Sequence, residues 1–128
     1  MPLKRSILLI EDEKDVSDLI RDFLESGGFE VASAFDGNAG LRMAKETFPD
    51  LILLDLIMPQ PDGKEVLKLL KFNSKTKDIP VIILTGLSDS ATIMDSLDNR
   101  ADDFLIKPFD KKLLLATINR VLKLKGLS

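Results

Sequence analysis

The sequence predicts an α/β fold: a five-stranded parallel sheet, doubly wound, with β-α repeated five times. Four apolar runs of four residues or fewer are continuous rather than alternating, which is typical of strands buried on both faces of a parallel sheet. Segments with helical spacing separate them, and strands that alternate with helices form parallel sheets with right-handed crossovers. The four runs are residues 7–10, 51–54, 81–84 and 104–106.

The remaining strand and the helices follow from periodicity. Residues 29–35 alternate and predict a partly exposed edge strand. The first helix stops at Gly27-Gly28, the second ends before Pro49, and the last begins at an Asp110 N-cap and ends at Gly126. The stripes that define the five helices are Val16, Leu19, Ile20, Phe23 and Leu24; Leu41, Ala44 and Phe48; Val66, Leu67 and Leu70; Ser90, Ile93, Met94 and Leu97, which has weaker propensity; and Leu114, Ile118, Val121 and Leu122.

Length and composition limit the function classes. The 128 residues suit a single domain, 1–128, with a core at about 5–124, and a net charge of −3 lacks the positive footprint of a nucleic-acid binder. The absence of His and Cys excludes Ser-His-Asp and Cys-His catalysis, zinc sites with N/S ligands and disulfides. Without a signal peptide or a run of ~20 apolar residues, a cytoplasmic location is expected.

Five polar side chains follow the predicted strands and are expected to share one crevice, because the carboxyl ends of parallel strands meet there. They are Glu11, Asp12, Asp55, Thr85 and Lys107. Two or three carboxylates form an oxygen-rich Mg²⁺ site, and an Asp carboxylate can attack phosphorus. An ammonium and a hydroxyl can bind phosphoryl oxygens. The pattern favours phosphoryl chemistry.

Most of these residues also have a structural alternative. Asp12 could be the N-cap of the helix that begins near Glu13. Thr85 could be a turn or capping hydroxyl, and Lys107 could be solvated. Asp55 is harder to explain structurally, because a carboxylate within an apolar stretch is costly unless it is paired or metal-bound.

In these residues the chain resembles the receiver domain of two-component response regulators, the fold of the chemotaxis switch protein. The resemblance implies a flavodoxin-like strand order, 2-1-3-4-5. Four motifs in order carry it: Ile10-Glu11-Asp12-Glu13, then Asp55-Leu56-Ile57-Met58-Pro59-Gln60-Pro61-Asp62-Gly63, Leu84-Thr85-Gly86, and Ala101-Asp102-Asp103-Phe104-Leu105-Ile106-Lys107-Pro108-Phe109.

The resemblance also implies roles for single residues. Asp55 would be the phosphoacceptor. Asp12 and Asp55 would bind Mg²⁺ directly, Glu11 mainly through water, and Ile57 through its backbone carbonyl. Asp62-Gly63 by itself indicates turn chemistry and not a calcium loop.

Three further residues would respond to phosphorylation. Thr85 would move toward the phosphoryl group, and Lys107 would form an ion pair with it. The Lys107-Pro108 bond would be cis, as is typical of the family. Phe104 would be the switch aromatic that turns inward and alters the face formed by the fourth helix, fifth strand and fifth helix; alternatively, it is a static core aromatic.

The implied function is a signalling switch that catalyses its own phosphorylation and dephosphorylation, and not a conventional enzyme. Its partners would be a sensor histidine kinase or phosphotransfer protein, and a downstream effector or attached output domain. Neither a membrane nor direct nucleic-acid binding by this chain is expected, and a phosphorylation-dependent dimer is left open. The alternatives are a Mg²⁺-dependent phosphohydrolase, which normally needs a cap or insertion, and an interaction module that no longer uses phosphate.

Several positions depart from the family pattern or carry a separate expectation. Arg100 replaces the Gly usual before Ala-Asp-Asp, and Gly86 stands where Ala is commoner. The resemblance implies that Ile57 and Leu87 occupy variable positions that flank the phosphate in the family; both are apolar here, which predicts a long-lived phosphoryl state. A basic stripe on the third helix is expected to be a solvated face; it consists of Lys64, Lys68, Lys71 and Lys75.

Overall fold

A computed structural model describes residues 4–86 and 90–127, in which strands and helices alternate along the chain. The strands are parallel and lie in the order β2-β1-β3-β4-β5, which confirms the predicted fold and strand order. The elements are β1 (Ser6–Ile10), α1 (Lys14–Ser26), β2 (Glu30–Ala34), α2 (Gly37–Thr47), β3 (Leu51–Asp55), α3 (Gly63–Phe72), β4 (Val81–Thr85), α4 (Ser90–Asp98), β5 (Asp103–Ile106) and α5 (Lys111–Leu124).

Two apolar layers cover the sheet. The side chains of α1 and α5 pack on one face, and those of α2 and α3 on the other. The inner strands β3 and β4 are buried along their whole length, which is why their sequences are continuous apolar runs. α4 lies beside α3, where Lys64 Nζ is 3.6 Å from Asp95 Oδ2. No helix in the described part of the chain has the length and apolarity needed to cross a membrane.

Three helices begin at an aspartate cap, of which Asp110 was predicted as a cap from the sequence. The carboxylates of Asp36, Asp62 and Asp110 accept hydrogen bonds from backbone N–H groups in the first turns of α2, α3 and α5. α1 instead begins after Glu13, whose side chain makes no capping hydrogen bond. The structural alternative for Asp12, that it is the N-cap of α1, is therefore wrong.

Four apolar residues of the predicted stripes do not enter the core. Leu19, Met94 and Leu97 are exposed, because only a narrow arc of α1 or α4 faces the sheet; the small Ser17 takes a buried place on α1. Phe48 is exposed because the helix has already ended: it is the C-cap of α2, in the left-handed region at φ 47°. Helical spacing thus overestimated the width of the buried face.

Lys71 corrects the expectation that the basic stripe of α3 is solvated. Its side chain is buried, and Nζ donates to the carbonyl of Ile79 at 2.8 Å and lies 3.6 Å from Asp102 Oδ2. Burial lowers the pKa of Lys71, and the nearby Asp102 carboxylate only partly offsets this. The last turn of α3 faces the segment that leads into β4, so Lys71 can reach only protein groups there.

Arg100 occupies the position where the resembled family has glycine. The backbone conformation at Arg100 explains why glycine is favoured there. Its φ is 71°, in the left-handed region that glycine adopts without strain. The guanidinium donates to the carbonyl of Lys71, in the last turn of α3. A cation at this carbonyl interacts favourably with the C-terminal end of the helix dipole.

We expect Arg100→Ala to lower the free energy of unfolding by about 1–2 kcal/mol, because alanine loses the hydrogen bond to Lys71. Alanine does not relieve the strain of the positive φ, which the parent chain also carries. Arg100→Gly also loses that bond but relieves the strain, so its stability should lie about 1 kcal/mol above that of Arg100→Ala. Urea unfolding monitored by circular dichroism measures both. Equal losses in the two variants would contradict this account.

Candidate functional site

Four of the predicted site residues meet at the carboxyl edge of the sheet. Lys107 Nζ lies 2.8 Å from Glu11 Oε1 and 3.3 Å from Asp55 Oδ2, so one ammonium joins two carboxylates from different strands. Carboxylate oxygens of Glu11, Asp12 and Asp55 all lie within 4.8 Å of one another. The register explains this: β1 and β3 are neighbours in the sheet, and their polar residues follow directly after the buried runs.

Backbone N–H groups hold two of the carboxylates. The Glu13 N–H donates to Glu11 Oε2 at 3.2 Å, and the Ile57 N–H donates to Asp55 Oδ1 at 3.1 Å. Glu11 is fully buried and Asp55 nearly so, whereas the Ile57 side chain beside the site is exposed. Asp55 therefore keeps a fixed orientation, with one oxygen on the backbone and the other toward Lys107.

The pKa of Lys107 reflects a balance between burial and ion pairing. Burial, the largest single influence, lowers it, but the hydrogen bond to Glu11 and the charge of Asp55 together outweigh burial, so the pKa of Lys107 is raised above its ordinary value of 10.5. Lys107 is thus a cation at every physiological pH. The alternative of a solvated Lys107 is wrong, because its ammonium is committed to the two carboxylates.

Thr85 and Phe104 flank this cluster on β4 and β5. Thr85 is fully buried at the end of β4, and its carbonyl accepts the Lys107 N–H at 2.7 Å, which places Lys107 at the edge. Phe104 is half-buried and packs against the core layer that contains α2 and α3. The Lys107-Pro108 bond is cis, as the resemblance implied. A second cis bond, Gln60-Pro61, was not predicted.

The three carboxylates fit a hard divalent cation. They supply only oxygen donors and carry more negative charge than Lys107 alone neutralises, and Mg²⁺ prefers a few carboxylates with water completing its shell. The role of the Ile57 carbonyl as a further ligand remains a prediction. Leu87, the other predicted neighbour of the phosphate, lies outside the described residues.

Comparison with known proteins agrees with this geometry. The family model of the response regulator receiver domain matches residues 7–119. The chain belongs to this family. Receiver domains with solved structures superpose closely: the Vibrio cholerae chemotaxis protein CheY4 has a TM-score of 0.89 at 29% identity, covering 94% of this chain and all of that one.

Curated relatives of this receiver domain are longer proteins. It is 41% identical over 117 residues to the DNA-binding dual master transcriptional regulator RpaA of Synechocystis, covering 91% of this chain and 48% of that protein. It is 37% identical over 121 residues to the phosphate regulon transcriptional regulatory protein PhoB of Escherichia coli, covering 94% of this chain and 53% of that protein. The receiver domain thus spans about half the length of these relatives.

Gly63 packs closely against the backbone that carries Asp55. The turn motif in the sequence did not predict this contact. Its N–H donates to the Leu56 carbonyl at 3.0 Å, and a Cβ at this position would collide with the backbone of Asp55 and Leu56. Gly86 directly follows Thr85, and no atom of the residues described around it comes within 4 Å of the place where a Cβ would stand. Gly63 and Gly86 therefore provide a test position and a control position for the effect of an added Cβ.

We expect Gly63→Ala to lower the free energy of unfolding by about 2–3 kcal/mol, because only backbone atoms could move to accept the methyl group. Gly86→Ala should change it by less than about 0.5 kcal/mol. Chemical unfolding of the two variants side by side measures the difference. A Gly86→Ala loss as large as that of Gly63→Ala would show that the packing around Asp55 is not the cause.

Proposed function

We propose that this chain is a phosphoacceptor switch in which Asp55 receives a phosphoryl group in the presence of Mg²⁺. The single observation that carries the proposal is the position of the Lys107 ammonium, shared between buried Glu11 and Asp55, beside Asp12. The three carboxylates, whose oxygens lie within 4.8 Å of one another, and the ammonium that pairs with two of them supply the metal ligands, the nucleophile and the counter-charge that phosphoryl transfer requires.

In the transfer, an Asp55 carboxylate oxygen attacks phosphorus as the bond between phosphorus and the donor's leaving atom breaks, and the bonding electrons leave with the donor. The Ile57 N–H holds Oδ1 and so orients the carboxylate for attack. Lys107, 3.3 Å from Oδ2, pairs with a phosphoryl oxygen once the group is attached. Asp12 and Asp55 would hold Mg²⁺ directly and Glu11 would hold it through water, and the ion would neutralise further phosphoryl charge.

Phosphorylation then acts on the outer part of the sheet. The added negative charge recruits the Thr85 hydroxyl, and the space this leaves lets Phe104 turn inward. β5 is the sheet's edge strand between α4 and α5, and the Arg120 guanidinium of α5 pairs with Asp103 of β5. Movement of Phe104 on the same strand therefore reaches the α4-β5-α5 surface, which is the proposed output face.

The partners follow from this scheme. The phosphoryl donor is a sensor histidine kinase or a phosphotransfer protein, and the output is a downstream effector, an attached domain or a phosphorylation-dependent dimer. The whole chain, 1–128, acts as one receiver domain in the cytoplasm. It catalyses its own phosphotransfer and autodephosphorylation, and its exposed apolar Ile57 is expected to slow the latter by limiting the approach of water.

Intact-mass spectrometry after incubation with Mg²⁺ and acetyl phosphate tests the proposal. We expect one added phosphoryl group that depends on Mg²⁺ and is missing in Asp55→Asn. Asp78→Asn is the matched control, because Asp78 is exposed and precedes β4, at the end of the sheet opposite the site, and the substitution should leave the adduct intact. Because fast hydrolysis would also hide an adduct, beryllofluoride binding is measured in parallel; failure of both would overturn the proposal.

A further inference from the structure

β2 is an edge strand of the sheet, and its outer side has no strand partner among residues 4–86 and 90–127. Its alternate residues from Glu30 to Ala34 bond to the β1 side: the Glu30 N–H donates to the Arg5 carbonyl at 3.0 Å, and the Ala34 carbonyl accepts at 3.1 Å. In a parallel ladder the intervening residues face the other way. The backbone N–H and C=O groups of Val31 and Ser33 therefore point outward, away from β1.

Arg21 of α1 covers this edge. Its guanidinium donates to the Val31 carbonyl at 2.9 Å and to Ser33 Oγ at 2.9 Å. Glu25, one turn further along α1, holds the guanidinium with an oxygen 3.8 Å from Nε. A strand approaching β2 needs the Val31 carbonyl as an acceptor, so it would have to displace a charged hydrogen bond and bury the freed cation.

The outward groups of β2 are complementary to those of a second β2. With a two-fold axis at Ala32, antiparallel pairing sets Val31 opposite Ser33 of the other copy, so that the two residues exchange both backbone hydrogen bonds. Ala32 faces itself, and its small side chain permits the close approach of a non-hydrogen-bonded pair. Glu30 faces Ala34, so like charges do not meet.

We propose that the outer edge of β2 can pair with β2 of a second copy of this chain. The hydrogen bonds that Arg21 makes to this edge oppose the pairing. The segment 29–35 is rich in apolar and β-forming residues and carries a single charge, Glu30. Glu30 stands at the start of β2, and the other residues of this strand carry no charge that would oppose pairing with a second copy. This surface lies at the opposite edge of the sheet from β5 and is separate from the proposed output face.

Sedimentation equilibrium of the unphosphorylated chain tests the proposal. We expect Arg21→Ala to raise the dimer association constant at least about tenfold, since the competing charged hydrogen bond is gone. Hydrogen exchange should show new protection of the Val31 and Ser33 amides in the dimer. Arg42→Ala, an exposed arginine on α2 with the same change of charge, should leave the association constant unchanged.

A second variant identifies the surface. The Ser33 N–H points outward, so proline at this position removes a donor from the edge without breaking the ladder to β1. Arg21→Ala combined with Ser33→Pro should return to the association constant of the parent chain. The proposal is overturned if folded Arg21→Ala associates no more than the parent, or if its dimer persists in the double variant.

Discussion

Lys107→Met is expected to lower the free energy of unfolding by about 3 kcal/mol in the absence of divalent metal. The substitution keeps an unbranched apolar stem of nearly the same length but leaves Glu11, which is fully buried, and Asp55 without their cation. Removing one partner of a buried ion pair costs about 3–5 kcal/mol, and the partial exposure of the Lys107 side chain, 25%, keeps the loss near the lower limit. Urea unfolding at neutral pH measures it.

The same variant should respond more strongly to Mg²⁺. Without the ammonium, the three carboxylates present one more net negative charge to the metal, so the affinity of the site for Mg²⁺ should rise. A ligand at about 100 times its dissociation constant stabilises a protein by about 2.7 kcal/mol, enough to recover most of the loss. An equal Mg²⁺ response in the parent chain and the variant would argue against a metal site at these residues.

The pH dependence has a definite sign. The pKa of Lys107 is raised in the folded chain, so its contribution to stability is complete below 10.5, the ordinary lysine value, and is lost as pH rises through the higher folded pKa. The stability difference between parent and variant should therefore be constant through the neutral range. Lys125→Met is the control: Lys125 also pairs with a carboxylate, at 3.0 Å, but is 44% exposed, so the expected loss is under about 1 kcal/mol.

Asp102→Asn is expected to lower the free energy of unfolding by about 3 kcal/mol, although it lies at the other end of the sheet from the site. Asp102 Oδ2 accepts the Val81 N–H at 2.8 Å and faces buried Lys71. Asparagine keeps an acceptor for Val81 but removes the charge that compensates Lys71. Denaturant unfolding measures the loss.

A double variant distinguishes the loss of stability caused by an uncompensated charge from the loss caused by altered packing. Asp102→Asn with Lys71→Met removes both charges, and apolar replacement of a buried ion pair is often neutral, so most of the loss should be recovered. Because the pKa of Lys71 is lowered in the folded chain, the protonated lysine is an unfavourable group whose penalty falls as pH rises toward 10.5. The Asp102→Asn loss should therefore shrink at high pH. A double variant as unstable as Asp102→Asn would point to lost packing.

The class of fold and the position of the site were determined by the sequence, because both depend on local order. Short continuous apolar runs that alternate with helical stripes are typical of strands buried on both faces, and a polar residue directly after such a strand lies at the carboxyl edge. Asp55 is the clearest case: its place after residues 51–54 put it at the edge, and the resemblance to receiver domains added its role.

Only the tertiary structure decided which charged side chains are buried and which neighbouring groups compensate their charge. Spacing marked Lys71 as solvated and Leu19 as core, but burial depends on which arc of a helix meets the sheet and on what packs over its end. The ion pair between Lys107 and Glu11 joins residues that are 96 positions apart in the sequence. The hydrogen bond from Arg21 to Val31 joins helix α1 to the edge strand β2. Charges paired over such distances are set by packing geometry, which periodicity along the chain does not encode.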